Sequence, residues 1–274
     1  MTNCRICNNT NITTLELPKF KLDQCSDCGY AQLSKYPSEE EVEKIYKDNY
    51  FEEKRGSDHI NDSKMKFEFV EKFIKKDGLL LDFGCGTGNF LKSAKEAGYN
   101  VCGFDVSEYA AEYVKTNLNI ETKSGKFNED VYAQESIDAV TSFDVIEHLT
   151  NFEYMVDCFK TWLKPGGYLF LTTPDIKSWD AVVLKKNWYG FQKYPEHINF
   201  FTSKSLRILL ESQGFKVEKV KVWGFVRSFE YIFTHWIKNS KVQNISLKVL
   251  RALHLQNIEI YIPMVDLMLV AKKD

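Results

Sequence analysis

The chain has 274 residues, which at roughly 150 per domain allows one large domain with an appendage or two modest ones. Its 44% hydrophobic and 27% charged composition, with a formal net charge of −2, is that of a globular protein with ample core, and argues against holding nucleic acid or anionic lipid through bulk charge. No run approaches the ~18 apolar residues of a membrane span, and the polar start MTNCRICNNTN is no secretory signal, so a cytoplasmic enzyme without membrane insertion is expected.

The first element is set by cysteines. Cys4 and Cys7 in CRIC and Cys25 and Cys28 in CSDC form two pairs with 17 residues between them. Two thiolates spaced by two residues in a tight turn can point at one metal ion, and two such knuckles close a tetrahedral Cys4 site, the coordination Zn2+ prefers. Reduced surface thiols and a redox pair are the competing readings. With four thiolate ligands no coordination position stays open for water, so the zinc is expected to be structural and residues 1–37 to form a zinc ribbon. Cys85, Cys102 and Cys158 stand singly and read as small core residues.

Ser38 with Glu41 three residues later predicts a capping box opening a helix after Pro37. Residues 38–77 read as a helical lid or linker, with a second helix over KMKFEFVEKFIKK, where Met65, Phe67, Phe69, Val70, Phe73 and Ile74 recur at helical spacing. From Gly78 the pattern changes. The apolar runs LLLDF, VCGF, IDAVTSF, YLFLTT and VEKVKVW alternate with helical segments near 89–97, 107–118, 152–162 and 203–213, and YIPMVDLMLVAKK reads as a last strand. This alternation predicts an α/β fold over 78–274, doubly wound around a mostly parallel, Rossmann-like sheet of seven strands, with a helical insertion at 225–255 before the last strand.

The turn after LLLDF carries the chemistry. Asp82 ends the apolar run, Gly84, Gly86 and Gly88 alternate, and a helix begins near Asn89. Glycines there let the backbone approach a ligand closely, and the helix start offers unpaired N–H groups. The next strand ends in Asp105, 21 residues after Gly84, where a carboxylate can accept hydrogen bonds from a ribose diol. Loop and acid together specify a nucleoside site at the carboxyl edge of the sheet. A dinucleotide fingerprint would need glycine at 89, where this chain has Asn89.

The GxGxG preceded by Asp82 instead resembles motif I of the class I S-adenosylmethionine-dependent methyltransferases. GFDVS around Asp105 resembles the ribose-binding strand end of that family, and SFDVIEHL, residues 142–149, resembles the fourth-strand edge of small-molecule enzymes related to the ubiquinone pathway. LKPGGYLFLTTP resembles the turn into strand five, and YPEHINFFT followed by SLRILLESQGF is similar to a subgroup that modifies sugars or other cell-surface metabolites, several of which carry an N-terminal Cys4 ribbon. The resemblance implies a cofactor, S-adenosylmethionine, over Gly84, Gly86 and Gly88, with Asp105 and the adjoining Val106 at its ribose, Gly125 and Lys126 at its adenine, and Phe143 and Asp144 beside the methyl donor.

The acceptor is less constrained. A hydroxyl acceptor needs its proton removed as the new bond forms, which favours a histidine base. His197 in YPEHINFF and His148 beside Glu147 are the candidates, each with a structural reading alongside; Tyr50, Trp188 and Tyr194 are candidate substrate-contacting aromatics, and Tyr46 and Phe51 lie on the same expected lid. The expected function is methyl transfer to a small-molecule acceptor, a hydroxyl of a sugar or cell-surface polysaccharide precursor. Alternatives are an RNA methyltransferase whose ribbon docks RNA, a carbon or nitrogen methyltransferase, and a non-catalytic scaffold. Residues 1–37 carry Arg5, Lys19, Lys21 and Lys35 against Glu16, Asp23 and Asp27, a poor balance for phosphate, so nucleic acid is not expected as a partner. The 225–255 insertion builds either a substrate pocket or a homodimer contact.

Overall fold

The computed structural model describes residues 3–38, 41, 57–237 and 239–274. Three short strands open the chain, β1 (Ile12–Glu16), β2 (Lys21–Cys25) and β3 (Ala31–Leu33). They join a short strand from far along the sequence, β9 (Asn199–Phe200), in a four-stranded antiparallel sheet of order β1-β2-β3-β9. The capping box is present: Ser38 N donates to Glu41 Oε2 at 2.8 Å and Glu41 N to Ser38 Oγ at 3.3 Å. The expected helix that follows lies outside the described residues, as do Tyr46, Tyr50 and Phe51.

The main sheet has seven strands in the order β10-β11-β8-β7-β4-β5-β6. Its parallel part comprises β4 (Leu79–Phe83), β5 (Asn100–Asp105), β6 (Thr122–Ser124), β7 (Ile137–Phe143) and β8 (Leu163–Pro174). Two long antiparallel strands, β10 (Phe215–Ser228) and β11 (Glu259–Lys273), close one edge. Side-chain alternation divides the core into two layers, as a strand period of two requires. Leu81, Phe83, Leu169, Leu171, Leu267 and Leu269 meet the helices α4 (Phe152–Trp162) and α7 (Ser203–Ser212) on one face. Leu80, Ala139, Phe170, Met268 and Val270 meet α1 (Ser57–Val70) and α2 (Asn89–Glu96) on the other. Helix α3 (Glu108–Leu118) covers β5 and β6.

Several details differ from the sequence reading. Helix α1 begins at Ser57 and ends at Val70, earlier than the apolar pattern over 64–76 implies, because Phe73 and Ile74 reach the same core from a turn. The short strand β6 completes the seven but was absent from the apolar runs: Thr122–Ser124 is polar and sits at the sheet edge. The insertion is only partly helical. Strand β10 continues to Ser228, and α8 (Phe229–Trp236) and α9 (Ser240–Ala252) cap the far end of the β10–β11 hairpin. Gly224 permits this hairpin to pass Pro263, since a Cβ on it would stand 1.9 Å from the Ile262 carbonyl oxygen.

Candidate functional site

The loop between β4 and α2 turns through three left-handed glycines, Gly84 (φ 79°), Gly86 (φ 52°) and Gly88 (φ 78°). Two of them are filled from the protein side. A Cβ on Gly84 would meet Val145 Cγ2 at 2.4 Å, and one on Gly88 would meet Leu118 Cδ1 at 2.7 Å. Among the described residues nothing lies within 4 Å of a Cβ placed on Gly86. That opening is the space a ligand held against bare backbone would occupy.

Asp105, buried at the end of β5, accepts from Gly86 N at 2.8 Å through Oδ2 and from Ser107 N at 2.9 Å through Oδ1. The carboxylate therefore shapes the loop as well as facing it, a role the sequence did not reveal. Val106 beside it is 63% exposed, an apolar surface at the same edge. Gly125 (φ 95°) also borders open space, Lys126 is exposed, and Phe143 packs edge-on against Phe90 at 5.1 Å. Asp82 lies beneath the loop rather than on its surface. Its Oδ1 accepts from Thr141 Oγ1 at 2.7 Å, and burial, reinforced by the charge of Asp105, pushes its carboxyl up to about 7.

The carboxyl ends of β7 and β8 carry a second cluster. Asp144, with a left-handed φ of 59°, accepts from Thr172 Oγ1 at 2.8 Å and from Lys66 Nζ at 2.9 Å. Lys66 comes from α1, its side chain only 12% exposed and its ammonium 4.7 Å from the centre of the Phe143 ring. This buried cation was hidden in the sequence between the core residues Met65 and Phe67. Asp266 on β11 is set level with Pro174 at the end of β8, and burial followed by the charge of Asp144 raises its carboxyl well above the ordinary range. An acid interrupting the apolar run of the last strand was a signal that sequence reading passed over.

His148 and His197 come together, ring centres 4.9 Å apart and nearly perpendicular, although 48 residues separate them. His148 Nδ1 lies 2.9 Å from the Glu196 carbonyl oxygen. A carbonyl only accepts, so Nδ1 carries the proton and the lone pair of the neutral ring resides on Nε2. Nε2 is 4.0 Å from Oε1 of Glu147, a residue only 1% exposed whose other oxygen accepts from Thr173 Oγ1 at 3.0 Å. Burial, then the charge of Asp144, holds the Glu147 carboxyl well above its usual range. One ligand atom from each of Glu147, His148 and His197 lies within 4.8 Å of the others, a spacing that also suits a divalent cation.

One expected acceptor contact, Trp188, is corrected. Trp188 has no exposed surface: its Nε1 donates to Asp180 Oδ2 at 2.9 Å, and its ring packs against Phe191 and Phe200 beneath β9. An indole with a buried N–H partner is a core pillar, and it offers no wall to a sugar. Tyr194 is half-buried, stacks on Phe20 of the N-terminal unit at 4.8 Å and lines a cavity beside that unit. The aromatic that does stand among the acids is Tyr189, whose hydroxyl is held above its ordinary range by surrounding protein and then by Asp144, Asp266 and Glu196.

In the N-terminal unit the four cysteine sulfurs gather within 4.8 Å of one another, with Cys4–Cys28 at 3.5 Å and Cys7–Cys25 at 3.6 Å. Four thiolates at about 2.3 Å from a tetrahedral zinc stand about 3.8 Å apart, so these donors fit that ion. Cys85, Cys102 and Cys158 are buried in the core.

A glycine-loop cradle and an acid at the carboxyl ends of adjacent parallel strands, in a sheet closed by an antiparallel hairpin, define the class I methyltransferase fold. The chain belongs to the methyltransferase-domain family, whose profile matches residues 58–220, within the S-adenosylmethionine-dependent enzymes. It is 28% identical over 194 residues to the mitochondrial ubiquinone biosynthesis O-methyltransferase of Rattus norvegicus, covering 66% of this chain and 55% of that protein. It is 30% identical over 116 residues to the ubiquinone biosynthesis O-methyltransferase of Hydrogenovibrio crunogenus, covering 40% and 48%. The chain thus spans about half the length of these curated relatives. In fold it is similar to an S-adenosylmethionine-dependent methyltransferase from Archaeoglobus fulgidus, with a TM-score of 0.57 at 21% identity over 83% of this chain and all of that one. Among the described residues no helix is long and apolar enough to cross a membrane.

Proposed function

We propose that the protein transfers a methyl group from S-adenosylmethionine to a hydroxyl oxygen of a small molecule. One observation carries the reading: the opening over Gly86 and the His148–His197 pair lie at the carboxyl ends of neighbouring parallel strands, β4 and β7. Gly84, Gly86, Gly88, Asp105 and Val106 would hold the donor's nucleoside, Gly125 and Lys126 its base, and Phe143 and Asp144, with Lys66 against them, would flank its methyl-donor side. The donor supplies a methyl already activated on a sulfonium, so the chain has chiefly to align the acceptor and exclude water. Acceptor deprotonation falls to the histidine pair. The Glu196 carbonyl fixes the His148 tautomer and so makes Nε2 the basic nitrogen of its ring, with Glu147 beside it and His197 against the ring. Zn2+ bound by Cys4, Cys7, Cys25 and Cys28 would be structural.

The ubiquinone-pathway relatives support oxygen as the atom methylated. An origin for the acceptor in a sugar or surface-polysaccharide pathway rests on the YPEHINFF resemblance, and Trp188 supplies no stacking wall for it. The test is incubation with methyl-labelled donor and separated pools of small metabolites, nucleotide-sugars and nucleic acid, each with and without chelator. Label in a small-molecule pool as an ether is the expected result. Label in nucleic acid would establish the RNA alternative, label on nitrogen or carbon would refute the hydroxyl assignment, and dependence on added divalent ion would make Glu147, His148 and His197 a metal centre. His197→Ala should keep donor affinity and lose on the order of 10²-fold in turnover. Near-wild-type turnover would remove His197 from the chemistry.

A further inference from the structure

The N-terminal unit is fastened to the two histidine segments by hydrogen bonds that begin at its second cysteine knuckle. Tyr30 follows Cys28 and Gly29, and its carbonyl accepts from Cys25 N at 2.8 Å. Its ring has no exposed surface and lies between Phe152 and Phe201, with centroids at 5.8 and 5.4 Å. Its hydroxyl donates to Asn199 Oδ1 at 2.6 Å. Asn199, 1% exposed, uses its amide Nδ2 to donate to the Leu149 carbonyl at 2.7 Å. One side chain thus ties together the residue after His148, the strand two residues after His197, and the second knuckle.

Neighbouring bonds repeat the connection. Leu33 N donates to the Ile198 carbonyl at 3.0 Å, Ile198 N donates to the Glu147 carbonyl at 3.0 Å, and Gln32 and Asn199 are paired across β3 and β9. From the first knuckle, Arg5 Nη2 donates to the Thr150 carbonyl at 2.8 Å and Arg5 Nε to Glu153 Oε1 at 2.8 Å. Both sides of the His148–His197 contact are therefore referenced to the cysteine unit.

We propose that the N-terminal unit is a working part of the acceptor half of the site, with Tyr30 and Asn199 as positioning residues that set the His148–His197 geometry. The proposal rests on reading that pair as acceptor-side groups. The fastening explains why a metal-organised module stands at the start of a chain whose donor site makes no hydrogen bond to it among the described residues. Fusing a ribbon to the loops after β7 and β8 fixes two segments that a sheet edge alone leaves as long, irregular connections.

The test compares the metal-loaded 274-residue chain with Asn199→Ala, Tyr30→Phe and Thr14→Val. The last removes a hydroxyl that bonds Asp23 Oδ1 at 2.8 Å on the far edge of the same small sheet, so it weakens that unit without touching the fastening. The readouts are proton–carbon spectra of labelled histidine rings, calorimetric binding of S-adenosylhomocysteine, and thermal melting. Expected are resolved shifts of both His148 and His197 in Asn199→Ala and Tyr30→Phe, and loss of their ring-to-ring Overhauser contact in Asn199→Ala. Thr14→Val should leave both resonances in place at a similar loss of melting temperature, and nucleoside affinity should stay within about threefold in all three. Unmoved resonances in folded Tyr30→Phe and Asn199→Ala, or equal movement in Thr14→Val, would overturn the positioning role. Absence of nucleoside binding in the unaltered chain would instead sink the methyltransferase reading and leave the resonance comparison intact.

Discussion

Gly84 and Gly86 have positive φ for different reasons, and substitutions separate them. At Gly84 an alanine methyl collides with Val145, so overpacking and left-handed strain together should cost about 2–4 kcal/mol and lower the melting temperature by several degrees. At Gly86 the same methyl meets nothing within 4 Å among the described residues, leaving only about 1 kcal/mol of backbone strain, but it enters the cradle. Gly86→Ala should therefore melt nearer the unaltered chain while S-adenosylhomocysteine binds at least about tenfold more weakly by calorimetry, a loss of about 1.4 kcal/mol. Unchanged affinity would remove the loop from donor binding. Asp82, beneath it, gives a pH prediction. Its carboxyl is held near 7 in the folded chain against an ordinary 3.8, so the unfolded chain ionises first and stability drains away as pH rises from about 4 through 7. Between pH 5 and 8 this group costs on the order of 3 kcal/mol. Asp82→Asn keeps an oxygen for Thr141 and cannot ionise, so its melting temperature should fall less than that of the unaltered chain between those two pH values. Parallel curves would show that Asp82 ionises freely.

At the scale of elements, what was legible is what has a short-range cause. The strand alternation, the Gly-x-Gly-x-Gly turn and the cysteine knuckles each encode their structure within about a dozen residues, and the sheet, the cradle and the four-sulfur cluster follow them. Features created by distant contacts were not. The polar edge strand β6 exists because β5 offers it hydrogen bonds, and β9 is a strand because the N-terminal sheet supplies its partner. Nothing near Lys66 in sequence marks it for the site; Asp144, 78 residues away, places it there. Trp188 looked available for stacking, and only its bond to Asp180 and its place beneath β9 show it as core. The insertion defeated apolar-pattern reading because β10 and β11 run past the sheet before any helix begins, and they are anchored there by α1: Asp62 accepts from Val226 N at 2.7 Å and from Arg227 Nη1 at 2.5 Å. His148 and His197 were each picked out singly; that they form one pair required the fold.

For the molecule as a whole, the decisive question is how far loss of the cysteine unit propagates. Its small sheet borrows β9 from the body, and Thr202, at the start of α7, donates to the Cys28 carbonyl at 2.7 Å while capping that helix. A structural zinc contributes directly to folding, so its removal should be felt through both connections. The donor loop, by contrast, is braced within the large sheet by Asp105 and by the Gly84 and Cys85 N–H bonds to the Phe104 carbonyl. Elemental analysis should find one zinc per chain, and a strong chelator or Cys28→Ser should lower the melting temperature by at least about 5 °C, since each kcal/mol moves it by roughly 2–4 °C at this size. S-adenosylhomocysteine affinity measured below the new transition should change by no more than about threefold, the loop and the knuckles being independent sites. A chain isolated without metal, with a melting curve indifferent to chelator and to Cys28→Ser, would show four reduced thiols packed together and no metal centre. A loss of nucleoside binding in step with the metal would show the cysteine unit and the glycine loop to be coupled through the β7 and β8 loops, against the independence that the hydrogen-bond pattern implies.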